Sequence, residues 1–313
     1  MRAPVQGVIW GVAFVVLEST QFVFFGGVFR RISSFVFGFL VFAITTLGFV
    51  GWAWVTAPGQ IRAALARPGL LLAINVTAAL SWLALLISVQ LIEPAVAYTI
   101  GAGAMPIAAL LFQRLGVSGG AGPRNGMEAA GVALIALAVA FLSLATVMGW
   151  SGFVRGDLQI APWIALAGVS LAFGEGMLFT WLLILCQRID RTGVGPGAIF
   201  GLRFPLYVLI AGAGAAVGLD SKAPLDAVEI ALLVALGLLL IVPPLYALQR
   251  TVALLPTVTI SVLTALGPFV IFVLQMVEGR VAYAPATLLG LAIYFAGALL
   301  AAYGAVGATL RAR

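Results

Sequence analysis

Long apolar runs, each interrupted by a few polar residues or a proline, follow one another from end to end of this chain. Ten of them come close to the ~20 residues that a helix needs to cross a bilayer, at roughly 5–26, 35–56, 70–89, 94–113, 127–148, 161–185, 198–218, 229–247, 257–276 and 285–308. The runs are apolar on every face and lack the alternation of a membrane β-barrel. Backbone groups in lipid must bond within their own segment, so the pattern predicts ten transmembrane helices in an all-α integral membrane protein.

Composition agrees. Hydrophobic residues make up 63% of the 313 residues and charged residues 8%, against roughly 25% charged in a soluble domain. A net charge of +6 would suggest nucleic acid in a soluble chain; here its distribution is what matters, because Lys and Arg gather on the cytoplasmic side. With the N-terminus inside, the cytoplasmic segments hold Arg2, Arg62, Arg67, Arg114, Arg124, Arg188, Arg191, Arg250, Arg311 and Arg313. The opposite loops hold Arg30, Arg31, Arg155, Lys222 and Arg280. Both termini therefore read as cytoplasmic, with Arg30–Arg31 against the trend. The first run is too long for a signal-peptide core and reads as helix 1. The single cysteine, Cys186, allows no internal disulfide, and the lack of histidine removes His-based haem, zinc and general-base chemistry. The preference for Arg over Lys and the Ala/Gly richness point to a GC-rich bacterial genome, and so to the bacterial inner membrane.

The runs also repeat. "EPAVAYTIGAGAMPIAALLF" (93–112) and "LPTVTISVLTALGPFVIFVL" (255–274) place Pro94 with Pro256 and Pro106 with Pro268 at one offset of 162. Helices 1 and 6 match at an offset of 157, pairing Glu18 with Glu175; helices 5 and 10 match at 159, pairing Gly131 with Gly290. Five helices per copy is an odd number, so the second copy enters the membrane inverted. The expected units are 1–150 and 151–313, joined through the polar connector at 148–160. Such a pair builds a central site at mid-membrane that opens to either side.

These features resemble the drug/metabolite transporter superfamily, EamA type, over nearly the whole chain, and among its members the bacterial YddG-like amino-acid exporters. Arg203 in "FGLRFPLYVL" matches an arginine that the family often carries in the second helix of a repeat; "FGFLVFAITTL" in the first copy lacks it. Glu278 fits the family's glutamate after helix 9, and Gln113 stands at the matching place after helix 4. The resemblance implies export; nothing in the residues sets a direction.

Candidate chemistry is sparse. Pro94, Pro106, Pro256 and Pro268 are expected as kinks or hinges, because an interior proline removes one backbone bond and bends the axis. Thr257, Ser261, Thr264 and Pro268 share one face of helix 9, matched by Thr99 and Pro106 on helix 4, and these faces are expected to line the pathway. The alternative is hydroxyls that merely bond back to their own helix. Glu18 and Glu175 lie mid-helix, where a carboxylate must face protein or water, pair with a cation or be protonated. Glu18 shares a face with Phe14, Gln21 and Phe25 and is a pathway candidate; Glu175 is expected to pair with Arg203, the one cation inside a helix. Asn75, Trp82, Tyr98, Trp163 and Tyr246, with Gln249, complete the pathway set. Trp82 and Trp163 could equally sit in the headgroup belt, where Trp52, Trp54, Trp150 and Tyr283 are placed. Gly290, Gly297 and Gly304 recur every seven residues and read as close packing of helix 10 on helix 5 or on a second protomer.

The pattern predicts a secondary transporter exporting small neutral or zwitterionic metabolites, with neutral and aromatic amino acids foremost. One intramembrane cation is too few for a phosphorylated anion, and no Gly-rich loop followed by Lys is present to bind ATP. The alternative is a proton-coupled exporter of drugs or other metabolites working through Glu18. An enzyme is not expected, since the acids are scattered singly. No cofactor, metal or nucleic acid is implied; the partners are the substrate and the bilayer, with monomer and homodimer both open.

Overall fold

The computed structural model describes residues 3–28, 31–117, 123, 125–151, 161–278 and 284–311. The connector at 152–160, Tyr283 and the basic residues Arg2, Arg30, Arg124, Arg155, Arg280 and Arg313 lie outside them, as do the side chains of Phe25, Glu278 and Arg311.

Thirteen helices and no strand are found among the described residues: α1 (Ala3–Val28), α2 (Ser34–Thr56), α3 (Pro58–Leu65), α4 (Pro68–Leu91), α5 (Pro94–Arg114), α6 (Gly126–Val147), α7 (Pro162–Asp190), α8 (Pro196–Leu202), α9 (Pro205–Ala216), α10 (Ala227–Leu254), α11 (Thr257–Thr264), α12 (Gly267–Glu278) and α13 (Pro285–Arg311). Ten stretches are long and apolar enough to cross a membrane, and they coincide with the ten runs. The chain is therefore a multi-pass membrane protein. Two spans, Pro196–Ala216 and Thr257–Leu274, each consist of two helices rather than one, as α8 with α9 and α11 with α12. The short α3 was not expected; Pro58 starts it and it carries Arg62 in its last turn.

The helices gather into two compact units. One comprises Met1–Trp82 with Trp181–Leu255, the other Leu83–Thr180 with Pro256–Arg313. Each draws on both halves of the sequence, so these units cut across a division at residue 150.

In the first unit, phenylalanines fill glycine notches. Phe35 and Phe39, one turn apart on α2, lie over Gly214 and Gly212 of α9, while Phe37 on the other face lies over Gly237 of α10. Gly7 lets α1 close on Leu254 and Leu255 at the end of α10. The start of α2 is held by a turn. Asp220 Oδ2 accepts from the Ser34 backbone N–H and hydroxyl, both at 2.9 Å, and Lys222 pairs with its other oxygen. Burial favours a protonated Asp220, but the Lys222 and Ser34 bonds outweigh it and hold the carboxyl below its ordinary value. Its stabilising effect is thus present above the unfolded-state pKa and lost on acidification. Asp220 also has φ 54°, which alanine tolerates poorly. We expect Asp220→Ala to cost about 1–2 kcal/mol, read as a lower thermal midpoint at pH 7, with the gap to wild type narrowing in acid.

In the second unit, α13 lies along α6. Gly297 meets the backbone of Gly131 and Ile135, Gly290 meets Leu142, and Gly304 meets Glu128 and Asn125, whose amide donates to the Gly304 carbonyl at 2.7 Å. The seven-residue glycine spacing is thus packing against helix 5 of the sequence, as expected. The neighbouring α5 is buried from Ala95 through Pro106 because it is built of small residues. Gly103 accepts Val139, Ile135 and Tyr294, and Gly101 lies against Gly176 of α7.

Candidate functional site

Polar groups inside membrane helices mark function by default, because lipid offers them nothing. In the first unit they collect where α8 gives way to α9. Pro205 has no N–H and disfavours a helical Phe204, so one span becomes two helices with unmade bonds at the joint. Asn75 of α4 closes it. Its amide nitrogen donates to the Leu202 carbonyl at 2.8 Å and to the Leu71 carbonyl at 3.0 Å, and its oxygen accepts the Leu206 N–H at 3.2 Å. One side chain caps both ends of the break. Asn75 was expected to line the pathway; its amide is instead committed to backbone. Asn75→Leu should leave a carbonyl and an N–H of the joint unmade, each costing about 1–3 kcal/mol, and circular-dichroism melting would show the lowered midpoint.

Arg203 occupies the joint itself. It is 2% exposed, with its guanidinium carbon 4.6 Å from the Phe204 ring centre and 5.2 Å from that of Phe200. Nη1 donates to Gln249 Oε1 of α10 at 3.3 Å, and the Cys186 thiol of α7 lies within hydrogen-bonding reach. Two donors, Arg203 Nε and Gln249 Nε2, are buried without a partner. Among the described residues no carboxylate pairs with Arg203. The expected Glu175–Arg203 pair joins groups in different units with separate neighbours: Glu175 lies over Gly101 of α5 and holds an interaction in its own right.

The remaining candidates of the first unit are mostly apolar in setting. Phe14 and Gln21 are buried and Glu18 between them is half-buried with a partner, which agrees with an inward stripe on α1. Trp82 packs edge-on to Phe42 at 4.9 Å, in a cluster with Phe204 and Tyr207. It belongs to neither a belt nor an open lining. Tyr246 is half-buried, 6.1 Å from Trp10 and 6.0 Å from Phe49.

In the second unit the break between α11 and α12 falls at Ala265–Leu266, just before Gly267 and Pro268. Tyr98 of α5 is buried with its hydroxyl pressed on Gly267, where any side chain would collide with it. Thr99, Ser261 and Thr264 are buried and donate to the carbonyls of Ala95, Thr257 and Ile260, at 2.6, 2.9 and 3.0 Å. The back-bonding alternative holds for their protons, and their lone pairs stay available to a donor. Thr257, also buried, opens α11.

Only Pro106 lies inside a continuous helix among the four expected kinks; Pro94 starts α5, Pro256 caps α11 and Pro268 starts α12. A proline at a helix start costs nothing, because that N–H is unbonded anyway. Trp163 is 71% exposed in the first turn of α7, as a headgroup-belt residue would be, and Trp52, Trp54 and Trp150 are exposed likewise.

Sequence reasoning missed the aromatic contacts of Arg203, although Phe200 and Phe204 at i−3 and i+1 were there to see. It also passed over Glu93.

No family model and no curated protein matches this chain. Among solved structures, one described only as a crystal structure of a protein superimposes with a TM-score of 0.67, covering 96% of both chains at 16% identity. That likeness concerns the fold alone.

Proposed function

We propose that the protein is a secondary transporter of small solutes bearing a carboxylate and no net charge, amino acids foremost. The observation that carries this reading is Arg203. A guanidinium buried at a helix break, lying against the Phe200 and Phe204 rings and with no acidic partner among the described residues, is costly to keep unless an anionic group meets it. Arg203 Nε and Gln249 Nε2 offer two further donors for a carboxylate, the geometry that guanidinium recognition favours. Discontinuous membrane helices whose ends face polar groups are how many transporters build solute sites.

The sequence offsets and the resemblance to the drug/metabolite transporter superfamily extend the proposal. They suggest inverted five-helix repeats, alternating access, both termini in the cytoplasm of a bacterium, and export. The test is efflux from proteoliposomes preloaded with labelled Phe, Met, Thr, Glu or Lys, with and without a pH gradient. Efflux of the neutral amino acids alone is the expected result. Efflux of organic cations in place of every amino acid would turn the reading to a drug exporter.

A further inference from the structure

Glu93 joins α4 to α5 in the second unit, between the end of α4 at Leu91 and the start of α5 at Pro94. Its neighbours in sequence are drawn into the core. Ile92 is fully buried against Gly168 of α7, and Val96 and Ala97 pack in one apolar cluster with Ala165 and Val169 of α7 and Leu142 of α6. Glu93 is drawn in with them and is 6% exposed. It stands at the cap position of α5, yet it accepts no N–H from the first turn, so capping does not account for it. Oε2 is buried with no hydrogen-bond partner. Elsewhere in the membrane helices Glu18, Glu128 and Glu175 each hold an interaction, and Glu229 pairs with Arg31.

Among the described residues no cation lies near it on the helices packed around it. Around it α4 and α11 carry no charged residue, α6 carries Glu128, and α7 carries Glu175, Arg188 and Asp190. On α5 the only charge is Arg114, twenty-one residues on, about 30 Å along the axis. Arg188 is equally far along α7 from the level of Gly168, and Arg311 ends α13. The other titratable groups on these helices near the cluster are the phenols of Tyr98 and Tyr294. A carboxyl in such a place is comfortable only as the neutral acid.

We propose that Glu93 is a proton-binding site through which the protein couples solute movement to a proton; the coupling, though not the binding, rests on the transporter reading above. Burial alone pushes the Glu93 carboxyl up from its ordinary value to about 7. The group therefore holds its proton on the acidic side of neutrality and releases it on the alkaline side, so a modest change in its hydration moves a proton on or off. The offset of 162 that matches Pro94 with Pro256 puts Leu255 at the position matching Glu93, so the second copy carries no carboxyl there.

The sign of the linkage follows. The folded protein holds this proton more tightly than the unfolded chain, so its thermal midpoint should fall as pH rises from about 4.5 to about 7. The first test is infrared titration of the reconstituted protein. Wild type should show a protonated-carboxyl band that vanishes with a midpoint near pH 7, and Glu93→Gln should lack it and flatten the thermal slope. An unchanged band in Glu93→Gln overturns the site. Should the glutamine variant fail to fold, Glu93→Asp keeps a carboxyl and should move the midpoint, and an unmoved midpoint is equally fatal. The second test is transport: Glu93→Gln should keep solute exchange without a gradient and lose acceleration by a pH gradient. Retained acceleration overturns the coupling. If neither protein moves any solute, the transporter reading fails while the infrared result still decides whether Glu93 binds the proton.

Discussion

Gly297→Leu should prevent α13 from seating on α6 and leave little monodisperse protein after detergent extraction. A Cβ at this position would stand 2.8 Å from the Ile135 backbone nitrogen and 2.9 Å from the Gly131 carbonyl oxygen. Both are backbone atoms of a helix, which cannot swing aside as a flexible side chain can. The whole helix pair would have to part, and the losses would spread to the Gly131–Ala301 and Gly304–Asn125 contacts along the same line. Overpacking a tight site typically costs 1–3 kcal/mol, and a clash with backbone along a full helix interface belongs at or above the top of that range. Gly48→Leu is the control. A Cβ there meets nothing within 4 Å, so its elution profile and thermal midpoint should match wild type. Equal behaviour of the two variants would show that the glycine line does not bring these helices together.

Arg203→Met should separate stability from function in the opposite sense. Methionine keeps an unbranched apolar stem against Phe200 and Phe204 while removing a buried charge that no acid among the described residues compensates. Replacing a buried ionic group by a well-packed apolar one is often neutral or stabilising, so the thermal midpoint should hold or rise. Loss of a buried charge contact to a ligand costs about 2–5 kcal/mol, or roughly 30- to several thousand-fold in affinity. Efflux of amino acids should fall by about that factor, while amino-acid amides, which lack the carboxylate, should move at similar rates in both proteins. A lowered midpoint with unchanged efflux would mean that Arg203 is a structural residue and would leave the carboxylate site without support.

The ten spans were legible because lipid imposes one rule on every segment, and apolar length alone satisfies it. The glycine line of α13 was legible for a similar reason: spacing by seven fixes a face whatever the partner, and only the partner had to be found. Breaks in spans were harder. Pro268 looked like a kink in a continuous helix and Pro205 raised no expectation, yet what decides between a kink and a break is whether a neighbour can cap the freed groups. Asn75, 130 positions before Pro205 in the sequence, is such a neighbour. Local sequence carries no trace of that arrangement. The same holds for Thr99, Ser261 and Thr264, whose spacing gave a shared face but not whether their protons were already used. Glu93 escaped notice because an acid before a proline at a helix boundary reads as a cap. Its interest lies in a bond that it does not make.

The interleaving of the two units bears on how the protein is made. A ribosome that has delivered residues 1–82 has supplied only part of the first unit; its remaining helices arrive with residues 181–255, after most of the second unit has been synthesised. The second unit waits longer still, since α6 must sit in the bilayer with Gly131 uncovered until α13, the last helix, is inserted. Chains interrupted anywhere before α13 thus present a small-residue face to lipid, a natural mark by which membrane quality control could tell unfinished from finished molecules.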